Sequence, residues 1–156
     1  MPVDYHAMLH PELIFLDLTA ESETQLFEQV GKRLQKLGYV KESYAGALEK
    51  REQEFPTGLV TKYLPVALPH TDPEHVNQAF ICMVKNEKLL DVLQMGLNKP
   101  MQAQYFFFLG ITDSKNQVIL LQKFMKLLQD QEFVAGLTSI SAENEMFEFL
   151  QREFDK

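Results

Sequence analysis

Apolar residues recur along this chain in two rhythms, and each change of rhythm marks an element. Leu13 to Leu18 is a short, mostly apolar run that predicts a first strand. From Thr19 to Leu37 the spacing becomes helical, with Leu26, Phe27, Val30, Leu34 and Leu37 on one face. Ser22 and Gln25 stand at capping-box spacing, and Gly38 supplies a stop. A second helix is expected over about Ser43 to Gln53, with Tyr44, Ala47 and Leu48 inward. Pro56 helps to end it, so Phe55 to Leu59 reads as a turn or loop. Strands are expected near Val66–Leu68, Phe80–Val84 and Gln104–Leu109. The last of these holds Tyr105-Phe106-Phe107-Phe108-Leu109, a continuous apolar run suited to a central strand covered on both faces. A long helix over about Asn116–Gln129 and two shorter ones, near Gln131–Leu137 and Ala142–Phe154, complete the pattern. In the last, Met146, Phe147, Leu150 and Phe154 form an inward stripe. This mixture predicts an α/β fold with helices on both sides of one sheet.

No repeat, low-complexity tract or linker interrupts the 156 residues, and the length suits one domain over 1–156. The formal charge is −7, from 22 acidic against 15 basic side chains. That balance argues against a nucleic-acid partner, because binding to a phosphate backbone needs basic patches. One cysteine, Cys82, rules out an internal disulfide and suits a reducing compartment. The first residues carry no charged-then-apolar signal pattern, and no apolar run reaches the ~18 residues of a membrane span. The expectation is a cytoplasmic protein.

The most informative stretch is Ala67-Leu68-Pro69-His70-Thr71-Asp72-Pro73-Glu74-His75-Val76. An apolar run stops at a proline, and an imidazole follows at once at a strand end, where a partly exposed ring on a rigid base is expected. A histidine with a pKa near ~6.5 is largely neutral at cytoplasmic pH. Its free ring nitrogen can attack phosphorus and hold a phosphoryl group as a phosphoramidate. Arg51, at the end of the second helix, precedes the loop that leads back to His70. A guanidinium offers a planar, bidentate fork that fits phosphate oxygens. Taken singly, each residue also reads as ordinary structure: His70 as a loop histidine bonded to its neighbours, Arg51 as a helix-end charge paired with Glu52 or Glu54. His70, Asp72 and His75 also read as ligands of a metal-dependent hydrolase, although their spacing is not a common zinc signature. Cys82, in an apolar strand, is inert filler. Gly58 and Gly110 are isolated, so no glycine-rich phosphate loop supports ATP binding.

Two segments together resemble a known family: Arg51-Glu52-Gln53-Glu54-Phe55-Pro56-Thr57-Gly58-Leu59 and Val66-Ala67-Leu68-Pro69-His70-Thr71-Asp72. An arginine–glutamate pair, a Pro-Thr-Gly-Leu turn and an apolar–Pro–His end, in that order, are similar to the enzyme IIA components of the bacterial phosphoenolpyruvate-dependent sugar phosphotransferase system. The likeness is to the fructose–mannitol superfamily and, within it, to the galactitol-type branch. It implies a three-layer α/β/α sandwich around a mixed sheet. It implies that His70 accepts a phosphoryl group, as tele-phosphohistidine, from the phosphocarrier HPr and passes it to a cysteine of a IIB protein or domain. Arg51 falls on the arginine that neutralises the phosphoryl oxygens. No cofactor, metal or nucleic acid is implied, and the membrane enters only indirectly, through IIC. The chain departs from the mannitol and fructose branches at three places. Thr71 follows the active histidine where those branches have a small residue. Lys62-Tyr63 replaces a leucine–glycine pair. Gln117 stands where a second histidine begins the third long helix. Thr71, Gln117, His75 and Thr57 are thus expected to support the site, with either His75 or Gln117 in the second histidine's place. Leu59, Leu64 and Val76 are expected to ring it as a docking surface, met by basic charge on HPr. The alternative within the superfamily is a regulatory IIA-like phosphoprotein that feeds no sugar.

Overall fold

The apolar run at 105–109 lies at the centre of the sheet, and the rest of the molecule is arranged about it. The structure, a computed structural model, describes residues 3–156. The chain begins with a helical turn, α1 (Tyr5–Met8), and a strand, β1 (Leu9–Leu18). Helices α2 (Glu23–Lys36) and α3 (Tyr44–Glu54) follow, then two short strands, β2 (Gly58–Val60) and β3 (Pro65–Ala67). A 3-10 turn at Pro73–His75 leads to the long strands β4 (Phe80–Leu93) and β5 (Pro100–Gly110). Helices α4 (Asn116–Leu128), α5 (Gln131–Ser139) and α6 (Glu143–Phe154) complete the chain. The five strands form one mixed sheet in the order β1-β4-β5-β3-β2. Successive pairs alternate in sense: β1 is parallel to β4, β4 antiparallel to β5, β5 parallel to β3, and β3 antiparallel to β2.

Side chains alternate across a strand, so β5 feeds two cores. Tyr105, Phe107 and Leu109 pack with Leu120, Phe124, Phe133, Met146 and Leu150 of α4, α5 and α6. Phe106 and Phe108 face the other way, onto Leu26, Phe27, Val30 and Leu34 of α2 and Tyr44 and Leu48 of α3. This is the three-layer α/β/α arrangement expected from the sequence.

The predicted elements are found, with several differences of extent. Helix α2 starts at Glu23, because Ser22 accepts the Gln25 amide and caps it. It stops as expected at Gly38 (φ +89), where Tyr39 N donates to Leu34 O and Gly38 N to Gln35 O. Leu37, expected on the inward face, lies past the last helical turn and is 48% exposed. Strand β2 runs through Gly58 and Leu59, where only a loop is expected. Gly58 is needed there: a Cβ would lie 2.5 Å from Leu93 O and from Met101 Sδ. Strand β4 is far longer than its apolar core, because the polar stretch Lys85-Asn86-Glu87-Lys88 masks its continuation. The buried Asn86 amide holds the irregularity together, accepting Ala20 N and donating to Ala20 O and Lys88 O. Beyond it β4 and β5 form a hairpin arm that shields β2. Val76, expected at the docking surface, is instead buried on the α2–α3 side and bridges to Val40.

Candidate active site

Strand β3 ends beside β5, and the proline after it turns the chain along the same strand. Leu109 N donates to Pro69 O at 2.9 Å, and His70 pairs with Leu109 in parallel register. This places the imidazole against the sheet rather than above it. The residue is 4% exposed, so the expectation of a partly exposed side chain is corrected: the residual strand pairing draws it inward. Its Nδ1 lies 2.7 Å from Leu68 O. A carbonyl only accepts, so Nδ1 carries the proton and Nε2 keeps its lone pair. Burial pushes the ring pKa below the ordinary histidine value. The Leu68 carbonyl opposes that shift, the Arg51 charge adds to it, and the Asp72 charge opposes it. The result is a neutral imidazole at neutral pH with its tele nitrogen uncommitted.

Arg51 sits in the last turn of α3, where the Phe55 amide closes the helix on its carbonyl. Its guanidinium carbon lies 5.2 Å from the centre of the Phe55 ring, and Nη1 meets Asp72 Oδ1 at 3.0 Å. Its Nε–H is buried and has no acceptor among the described residues. Its bond to Asp72, two positions after His70, draws the arginine toward a histidine 19 positions away in sequence, and its charge lowers the ring's pKa. The alternative reading of Arg51, a helix-end charge paired with Glu52 or Glu54, is not what is found, since its ion pair is with Asp72. Glu52 turns inward and takes both the Thr57 amide and the Thr57 hydroxyl at 2.8 Å.

The supporting residues are distributed unequally. Thr71 is buried and gives its hydroxyl to Asp72 O at 2.9 Å. Thr57, with its hydroxyl on Glu52, holds the turn that leads into β2, and Leu68 N returns to its carbonyl at 3.3 Å. His75 bonds Ser43 Oγ through Nδ1 at 2.7 Å, while Nε2 is 3.6 Å from Glu74. Gln117 is half-buried in the first turn of α4, its amide on Ser114 O. Neither His75 nor Gln117 hydrogen-bonds the His70 ring. A cleft of about 200 Å³ opens beside these groups, lined by Arg51, Thr71, Asp72 and His75 among others. The metal reading of His70, Asp72 and His75 is corrected: among the described residues no three such side chains converge. Each has a different partner, namely Leu68 O, Arg51 and Ser43. Cys82 is buried in the sheet, and its thiol is held far above the usual range by that burial. Sequence reasoning missed the Leu68 carbonyl, the Asp72–Arg51 pair and the Glu52–Thr57 bonds. Only the last had a signal, a glutamate five positions before a threonine across a helix end.

Comparison with known proteins matches residues 7–153 to the family described as "Phosphoenolpyruvate-dependent sugar phosphotransferase system, EIIA 2". The galactitol-specific EIIA component of Escherichia coli K12 is 22% identical over 117 residues, covering 75% of this chain and 78% of that protein. Among solved structures, a putative PTS IIA domain from Streptococcus pyogenes superposes with a TM-score of 0.75 at 16% identity, over 99% of this chain and all of the other. The complex of enzyme IIAMTL and phosphorylated enzyme IIBMTL from Escherichia coli contains a chain matched at TM-score 0.71 and 21% identity, over 92% of this chain and 96% of that one.

Proposed function

Since the chain belongs to the EIIA 2 family of the phosphoenolpyruvate-dependent sugar phosphotransferase system, and so is a IIA-type phosphotransferase, we propose that it carries the phosphoryl group on His70 Nε2, with Arg51 beside it. The observation that supports this most is the division of labour on the ring. Nδ1 is committed to Leu68 O, leaving Nε2 as the nucleophile, and Arg51, tied to Asp72 two positions beyond the histidine, keeps a buried N–H without a partner.

The proposed donor is phosphohistidine on HPr. The Nε2 lone pair attacks phosphorus as the donor's P–N bond breaks, and that bond's electron pair returns to the donor nitrogen. No proton need change hands: the donor ring becomes neutral, and His70 becomes a phospho-imidazolium whose Nδ1–H stays on Leu68 O. In the second step a thiolate attacks phosphorus, and the P–N pair returns to Nε2. Phosphoryl transfer rests mainly on positioning and charge stabilisation, so an imidazole and a guanidinium meet its needs. The partner reaches Nε2 over a mostly buried ring, and that burial limits the access of water to the labile P–N bond between partners. Both partners dock over one ring and so bind in turn, through small and transient contacts. A IIB acceptor is supported by the solved IIAMTL–IIBMTL complex, and uptake of galactitol or another polyol or sugar by the galactitol-specific relative.

The test is phosphate labelling with phosphoenolpyruvate, enzyme I and HPr. Wild-type protein should take up label that survives alkali and is lost in acid. His70→Ala should take up none; labelling at the wild-type level would refute the assignment. Arg51→Ala should fold normally and label on the order of a hundredfold more slowly.

A further inference from the structure

We propose that Asp72 is a positioning residue of this phosphoryl site, holding the Arg51 guanidinium through Nη1 and leaving its Nε–H for the oxygens of the group on His70. The inference rests on the function proposed above.

Three observations carry it. The first is that Asp72 is the acid that meets Arg51. Glu52, next to the arginine in sequence, is spent on Thr57, and the ion pair forms instead at 3.0 Å across 21 positions of chain. The second is that the carboxylate stands on a stiff turn. Its carbonyl accepts the Thr71 hydroxyl at 2.9 Å and the His75 amide at 3.4 Å, and Pro73 holds the backbone of Asp72 extended at φ −64, ψ 154. The third is that the guanidinium is gripped on separate sides. The Phe55 ring lies against its face, Asp72 takes one terminal nitrogen, and the inner Nε–H is left buried without an acceptor. A buried donor with no partner is unfavourable unless something fills the place, and an anionic oxygen is the natural occupant.

The pair is not there mainly for stability. The Asp72 side chain is 63% exposed, and ion pairs at such places contribute little to folding. Its value is in the placement of a side chain that otherwise has many rotamers. Asp72 also offsets the pull of Arg51 on the imidazole, since the two charges move the His70 pKa in opposite directions. The nucleophile therefore keeps basicity that a lone guanidinium beside it would remove.

The experiment is a double-mutant cycle in the full chain, read as the rate of phosphate uptake from phospho-HPr. Asp72→Asn should slow uptake roughly tenfold, with its thermal midpoint little changed. In an Arg51→Ala background the same substitution should have a much smaller effect, limited to the charge of Asp72 on the imidazole, because two residues acting as one unit do not add. The Arg51 Nε–H resonance in a 1H–15N spectrum should be distinct in the wild type and averaged with solvent-exposed arginines in Asp72→Asn. Uptake at the wild-type rate in Asp72→Asn, or an equal loss in both backgrounds, would overturn the positioning role while leaving the phosphoacceptor reading intact. Failure of the wild type itself to label would remove both.

Discussion

At the residue scale, the proposed chemistry turns on what each nitrogen of His70 and Arg51 is bonded to. The ring is fixed by one carbonyl, and its charge state is tuned by a cation and an anion that oppose each other. Removing the cation has a direct readout. In Arg51→Ala the His70 pKa should rise, because the guanidinium lowers it, and NMR titration of the imidazole would show the change; an unaltered or lower value would mean that the two groups are not neighbours in solution. The acid limb of phosphate uptake should lie below the ~6.5 of a free imidazole, since burial favours the neutral ring. A limb at or above that value would contradict the burial found here. The imidazole was legible in the sequence through the resemblance of its segment to a known family, because a histidine after a proline, taken singly, also reads as a loop residue bonded to its neighbours. Its inward placement was not, because it depends on pairing with Leu109, 39 positions away in a different strand.

At the scale of elements, the site is delivered by the segment between α3 and the 3-10 turn. The Glu52–Thr57 bonds close the end of α3 onto β2, and β2 with β3 guides the chain to Pro69. Thr57→Val removes the hydroxyl that Glu52 accepts and leaves part of a buried carboxylate without its donor. It should destabilise the fold by roughly 1–3 kcal/mol, measurable by urea unfolding. Gly58→Ala should be costly for a different reason, since the new methyl meets the Leu93 carbonyl of the hairpin arm. A fully stable Gly58→Ala would show that β2 does not lie against that arm. Periodicity located helices α2 to α6 and the core of every long strand. It failed at β2, whose three residues are too short for any period, and in the second half of β4. There the alternation of Leu90 and Val92 with polar neighbours follows an irregularity held by Asn86.

For the molecule as a whole, two helices on one face of the sheet bring together acids that the mechanism does not use. Glu23 of α2 is pushed up to about 8, first by burial and then by the charge of Glu52 on α3. They line a cleft of about 250 Å³ that also reaches Asp91 and Pro100 of the hairpin arm. The folded protein holds this proton at neutral pH, whereas the unfolded chain loses it near 4.5. Stability should therefore fall as pH rises from about 4.5 to about 8. The His70 ring acts in the opposite sense: its lowered pKa makes stability fall as pH drops below ~6.5. Thermal unfolding of Glu23→Gln should show the high-pH decline reduced and the low-pH decline unchanged. If the two proteins gave parallel curves, the raised carboxyl would not be a property of the fold in solution.

The sequence alone determined the class of fold, the central strand, the helix that carries Arg51 and the strand end that carries His70. These follow from local information, namely the spacing of apolar side chains and the steric rules of proline and glycine. The tertiary structure decided which groups meet: Leu68 O with the imidazole, Asp72 rather than Glu52 or Glu54 with the guanidinium, and Glu23 with Glu52. Such pairings depend on how the sheet order folds distant segments onto one another. Charge and burial act through space, and no spacing along the chain encodes them.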